Sequence, residues 1–214
     1  LVFAGAMLSF SSSVSAAAGF YEESRIAGID KILSWPAAER LLVRARPGTQ
    51  LLDLRTTKPV WTSKLKRLLV SMDRAGKYLA VSEGRKVVLL DGGSGEMLRT
   101  LPPARRYSNT IKGLAVSPSG QMVAVGTGDY SVHLHRSSDG QAFSTIATKQ
   151  SMLQVAFAPD NVLLAVPDAV ASISLYDTRT WRRIGRLKWD LRIGGTATRL
   201  VFAPESRRLA ALVR

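Results

Sequence analysis

The apolar positions of this chain fall in short strand-like runs that recur at a regular interval. Leu114-Ala-Val-Ser-Pro118, Val155-Ala-Phe-Ala-Pro159 and Leu200-Val-Phe-Ala-Pro204 are near copies of one phrase, spaced by 41 and 45 residues. That spacing belongs to repeat architectures. Seven residues after each proline a second apolar run closes, at Val125, Val166 and Ala211. Pro36 fits the same measure with Arg40-Leu-Leu-Val43, and the 82 residues between Pro36 and Pro118 leave room for one further copy. In that copy Leu68-Leu-Val-Ser71 is the first strand, Asp73-Arg-Ala-Gly76 the turn and Tyr78-Leu-Ala-Val81 the second strand, with Met72 in place of the proline. Its turn is longer by about two residues, a change that loops absorb at little cost.

A third run follows in each complete unit. Thr49-Gln-Leu-Leu-Asp53, Val87-Val-Leu-Leu-Asp91, Val132-His-Leu-His-Arg136 and Ile173-Ser-Leu-Tyr-Asp177 align without gaps. Strand side chains alternate with period two, so Leu51, Leu89, Leu134 and Leu175 share one face with Thr49, Val87, Val132 and Ile173. A polar or glycine-rich turn comes next, as in Asp91-Gly-Gly-Ser-Gly-Glu96, and a fourth run returns over 60 to 65, 97 to 101, 142 to 146 and 181 to 187. Four short strands per unit of about 40 residues predict an all-β fold, a β-propeller of four-stranded antiparallel blades. The blades are expected at about 30–65, 66–102, 110–147 and 152–188, with a partial fifth at 197–214.

At these residues the chain resembles the WD-repeat β-propeller family. Leu-Leu-Asp53, Leu-Leu-Asp91 and Leu-Tyr-Asp177 stand where that family often has Trp-Asp, and Gly126-Thr-Gly-Asp129 is similar to its turn between second and third strands. The resemblance covers residues 30 to 214; it includes no Gly-His or Trp-Asp pair, and Arg136 replaces the Asp in one blade. Non-WD propellers with the same blade stay open as an alternative. The resemblance implies blades around a channel, used as a docking scaffold for proteins; the chain reads as a divergent, bacterial-type exported member, and the repeat pattern that stops inside a fifth unit reads as an apparent fragment of a longer propeller. An alternative is a closed five-bladed form completed by a strand from residues 17–29, which otherwise form a linker.

Residues 1 to 21 carry no charge, begin Leu-Val-Phe-Ala-Gly-Ala-Met-Leu8, turn serine-rich and reach Val14-Ser-Ala16. That composition predicts a secretory signal peptide over 1–16, incomplete at its start, with cleavage after Ala16 and a periplasmic or secreted mature chain. Five serines between positions 9 and 15 weigh against a membrane anchor, which needs about 20 apolar residues. No transmembrane span is then expected after cleavage.

Composition narrows the chemistry. The chain of 214 residues has no cysteine, which removes disulfides and thiol nucleophiles. Thirty Lys and Arg against 16 Asp and Glu give a net charge of +14, which favours anionic partners. The densest basic stretch runs from Arg179 to Arg192 and carries Trp181 and Trp189. Basic residues with interleaved tryptophans suit single-stranded nucleic acid. A charged outermost strand that protects a blade edge accounts for the same residues and is the preferred reading. The expected partner is a protein, with an anionic envelope surface as a second class and nucleic acid disfavoured.

His133 and His135, two apart on a strand, point to one face as two zinc ligands would, but no third ligand is fixed near them and structural histidines are the expectation. Asp129 and Asp168 lie in loops between second and third strands, where paired carboxylates are conceivable; an Asp in a turn more often caps its own backbone. No nucleophile, base or Gly-rich phosphate loop is assigned, no catalytic residue, cofactor or metal is expected, and the chain reads as non-catalytic. The alternative is the propeller portion of an oxidoreductase or hydrolase whose catalytic residues lie elsewhere. The candidate partner-binding residues are Arg105, Arg106, Tyr107, Asp129, Tyr130 and Arg192, in loops between second and third strands (82 to 86, 126 to 131, 167 to 172) and between blades (102 to 109, 189 to 196). Loops carry recognition while strands carry packing.

Overall fold

In the computed structural model, the described residues are 9–10, 24–25, 29–37, 40–45, 48–63, 69–83, 85–102, 110–149, 154–190 and 197–213. They divide between two compact units, Leu1–Lys66 and Arg67–Arg214. In the first unit, β1 (Ser9–Phe10) pairs with β2 (Ser24–Arg25). The same unit holds one four-stranded antiparallel sheet of β3 (Ile29–Ala37), β4 (Arg40–Ala45), β5 (Thr49–Asp53) and β6 (Pro59–Ser63), in that order. Leu41, Val43 and Leu52 form its buried cluster, with Leu54 against it.

The second unit repeats this meander. Its sheets are β7 (Val70–Met72), β8 (Tyr78–Glu83), β9 (Lys86–Asp91) and β10 (Met97–Leu101); β11 (Ile111–Val116), β12 (Met122–Thr127), β13 (Ser131–Arg136) and β14 (Ala142–Ala147); and β15 (Ala156–Phe157), β16 (Leu163–Ala169), β17 (Ser172–Asp177) and β18 (Arg183–Lys188). In each, sequential strands are neighbours. β19 (Ala197–Phe202) and β20 (Leu209–Val213) pair as the first two strands of a fifth unit. Among the described residues these are β-propeller blades, four complete and one partial.

Period-two alternation explains how consecutive blades of the second unit pack. Val87 and Leu89 face Leu114, Val116, Val123 and Val125 of the next blade. Val132 and Leu134 face Val155, Phe157, Leu164 and Val166 in the same way. Ile173 and Leu175 then meet Ala197 and Leu200. Each blade is thus apolar on both faces, and burying both requires a neighbour on each side.

The outer strands share a feature that composition does not announce. Leu51 pairs with Trp61 and Leu52 with Pro59, so Val60 is an extra residue in β6. The same one-residue β-bulge falls at Leu98 in β10, Phe143 in β14 and Ile184 in β18. All four bulge residues are apolar and exposed, at 41%, 41%, 36% and 60%. A bulge on an outer strand interrupts the ladder that another chain would need for edge pairing.

Turn chemistry is equally regular. The turns between first and second strands place Gly76, Gly120, Asn161 and Ser206 at φ of 72°, 71°, 63° and 61°. Neighbouring turns are tied together: Arg74 N donates to Pro118 O at 3.3 Å, Ser119 Oγ to Asn161 Oδ1 at 3.1 Å, and Asp160 N to Ser206 Oγ at 3.0 Å. The turn end of these blades is therefore joined across the second unit by backbone and short polar side chains.

The hairpins between second and third strands are tighter than the sequence suggests. The ladder continues to Glu83↔Lys86, Thr127↔Ser131 and Ala169↔Ser172. Spans read as loops at 82 to 86, 126 to 131 and 167 to 172 thus begin and end in strand, because cross-strand hydrogen bonding carries through polar residues there.

Candidate functional site

Each complete blade ends its third strand in an acidic cap or its equivalent. The Asp53 carboxylate accepts from Arg55 N at 2.9 Å and Thr56 N at 3.0 Å. Asp91 does the same for Gly93 and Ser94, and Asp177 for Arg179 and Thr180. These backbone N–H groups, that of Thr56, Ser94 or Thr180 foremost, hold each carboxyl below its usual range. The strand-ending Asp thus organises the turn that follows. Where Arg136 replaces it, Asp139 takes over from within the turn, accepting from Gln141 N at 2.9 Å and pairing with Arg136 at 2.8 Å.

The fifth residue counted from that position adopts a left-handed backbone in every blade: Thr57, Gly95, Gly140 and Trp181, at φ of 57°, 75°, 76° and 56°. Glycine takes this conformation freely, whereas a bulky L-residue is penalised by roughly 1–2 kcal/mol. Two of these four positions hold glycine; at Trp181 the side chain must offset the strain. The indole packs against the apolar cluster between the third and fourth blades, and its ring meets Phe143 edge-on at 5.5 Å between centroids.

Trp181 and Phe143 are two walls of a cleft of about 620 Å³. It opens at the end of the blades that carries the first-to-second and third-to-fourth turns. Met122 and Tyr78 extend its apolar wall, Lys77 and Arg136 supply cations, and Ser119, Gln121, Ser137 and Ser138 supply polar groups. Among the described residues no Asp or Glu lines it. The Lys77 ammonium lies 5.1 Å from the centre of the Tyr78 ring, and the Arg99 guanidinium donates to Ser138 O just beside it. Ser137, 1% exposed, has a hydroxyl that makes no hydrogen bond among the described residues.

Of the residues nominated from the sequence, Asp129 and Tyr130 lie at the opposite end of the blades. Arg105, Arg106, Tyr107 and Arg192 lie outside the described residues. Asp129 and Tyr130 sit together on the β12–β13 hairpin. Tyr130 is 54% exposed at φ 64°, and Asp129 accepts a hydrogen bond from Thr127 Oγ1.

Asp168 behaves differently from Asp129. It is 4% exposed and accepts from Ser172 Oγ and Ser174 Oγ at 2.7 Å each, with the Arg186 guanidinium at 2.5 Å. Burial raises the carboxyl's pKa, but the bonds from Ser172, Ser174 and Arg186 outweigh it and hold the group below its usual range. Its oxygens are therefore engaged in joining three strands.

At the register position of Ser174 in the preceding blade stands His133, whose Nδ1 lies 3.2 Å from Thr145 Oγ1. His135 Nδ1 lies 3.1 Å from Gly140 O. Desolvation pushes both imidazoles below their usual pKa, so they pack as neutral rings. Among the described residues no three His, Asp or Glu gather to hold a metal, and no helix is long and apolar enough to cross a membrane.

No family model and no curated protein matches this sequence. Its fold is similar to a solved structure, the β-propeller domain of Cps50 (Swd1) from Myceliophteria thermophila. The TM-score is 0.70 at 18% identity, over 87% of this chain and 62% of that one. The chain therefore spans less than two thirds of that structure's length, and at this identity the likeness establishes the fold alone.

Proposed function

We propose that this chain is a non-catalytic protein-binding scaffold, a WD-repeat-like propeller exported to the periplasm or cell exterior. The cleft among the turns of the second, third and fourth blades carries the reading. Its lining combines an aromatic pair, two cations and hydroxyls, groups that hold a partner by burial, charge and hydrogen bonding. The blades give such a surface a rigid frame, since their turns are tied to each other through backbone groups and short polar side chains. Export rests on the uncharged, serine-rich stretch that ends at Ala16.

Affinity capture with the tagged chain from a cell-envelope extract tests this. A protein retained in stoichiometric amount through a high-salt wash is expected. Material that elutes in full when salt is raised would reflect the charge of +14 alone, and would remove the scaffold reading. Charge reversal at Arg105, Arg106 and Arg192 is the companion measurement for the loops between blades.

A further inference from the structure

We infer that the cleft between the turns of the second, third and fourth blades is a docking site for an acidic peptide segment carrying one large apolar side chain. This rests on the scaffold reading and gives it a site and a partner class. Three independent observations converge on it.

The first is the identity of Trp181. Two equivalent turns place glycine at this left-handed position, and the fourth blade places the largest side chain there instead. Core burial explains only part of the indole, since Trp181 keeps partial exposure and, with the 36% exposed Phe143, faces the cleft. Phe143 is itself the bulge residue of its outer strand, a position that turns the side chain away from the regular ladder. The edge-on pair makes a preformed apolar wall, with Met122 behind it.

The second is charge. Lys77 and Arg136 both reach the cleft, Arg99 is bonded to its Ser138 rim, and no carboxylate among the described residues lines it. The nearest acid in the same turn, Asp139, is held by Arg136. An acidic occupant would meet Lys77 directly and compete with Asp139 for Arg136. A cationic segment would be repelled by Lys77 and would gain nothing from Arg136, whose charge Asp139 already meets.

The third is the Ser137 hydroxyl, a buried polar group in the cleft wall without a hydrogen bond among the described residues. Such groups are uncommon in native interiors. A peptide carbonyl or amide entering the cleft supplies the missing partner. The volume accommodates an anchor side chain and short flanks rather than a duplex or a folded domain.

The experiment is fluorescence anisotropy of the full chain with a labelled short peptide of Asp and Glu residues around one central Phe. Binding is expected, weakened at least about tenfold when Phe becomes Ala or when the acids become Asn and Gln. Lys77→Glu and Trp181→Gly should each weaken it by about tenfold or more. Lys112→Glu, an exposed change at the opposite end of the third blade, should alter it less than about twofold. Lys77 is exposed, so its variant tests the site even if Trp181→Gly lowers the melting temperature. Equal losses from Lys77→Glu and Lys112→Glu, absence of peptide binding, or tighter competition by an oligothymidylate would each overturn the assignment. If partner capture survives Lys77→Glu and Trp181→Gly unchanged, this cleft falls while the scaffold reading stands. Absence of any captured partner removes the reading itself.

Discussion

Leu134→Ala is expected to cost about 3 kcal/mol of unfolding free energy, within the 2–5 kcal/mol range for fully buried leucines. Leu134 is 0% exposed and sits among Val132, Ile146, Val155, Phe157, Leu164 and Val166, where the third blade meets the fourth. Truncation removes its apolar burial and leaves a cavity that two rigid sheets close poorly. The same truncation at Leu98, a bulge residue 41% exposed, should stay within about 0.5 kcal/mol. Urea unfolding of both variants, compared at constant m-value, measures the contrast. In a double-mutant cycle, Leu134→Ala should couple to Leu164→Ala across the interface by about 0.5 kcal/mol or more. Equal losses at Leu134 and Leu98 would refute the assignment of inward and outward faces.

The second large effect is electrostatic. Arg186→Met should destabilise the chain by about 2–3 kcal/mol at neutral pH. Removing one partner of a buried pair costs roughly 3–5 kcal/mol, and the figure is reduced because the Arg186 side chain is 31% exposed. The pH dependence identifies the cause. In the native protein the Asp168 pKa is held down, so its contribution is fully present above the ordinary carboxylate range of about 4 and is lost as pH falls through the folded value. In Arg186→Met the buried carboxylate lacks its counter-ion, so protonation relieves the variant. The gap between variant and native protein should therefore narrow as pH drops from 7 toward 3. A gap independent of pH would assign the loss to packing of the arginine stem.

Much of this was legible in the chain. Alternation within Val87-Val-Leu-Leu-Asp91 and its copies gave both the strands and their faces, since a sheet buried on two sides must place apolar residues in both phases. The strand-ending Asp was legible as the residue before a polar turn, but its role as a cap emerges only from the backbone N–H groups that meet it. The outer-strand bulges were not, because an exposed Leu98 or Ile184 reads like any apolar strand residue until its ladder partners are known. Asp168 was misleading for a related reason. Following Pro167 it resembles a loop residue, yet the irregular pairing between Pro167 and Ala169 keeps it in the strand and turns its carboxylate inward.

The cleft is the largest gap between sequence and structure. Lys77, Met122, Arg136, Phe143 and Trp181 come from three blades, and no short-range pattern joins them. One signal was present: aligning the third-to-fourth turns puts Trp181 opposite Gly95 and Gly140. A tryptophan where two equivalent turns have glycine marks a side chain with contacts beyond its own turn.

Hydrogen exchange on the chain, free and bound to its captured protein, is the most direct measurement. The expected result is slowed exchange in the turns around 119 to 122, 137 to 143 and 178 to 182, with the hairpin around Tyr130 unchanged. Protection confined to the Tyr130 hairpin, or no protection at any turn, would contradict a scaffold that receives its partner in the cleft walled by Trp181.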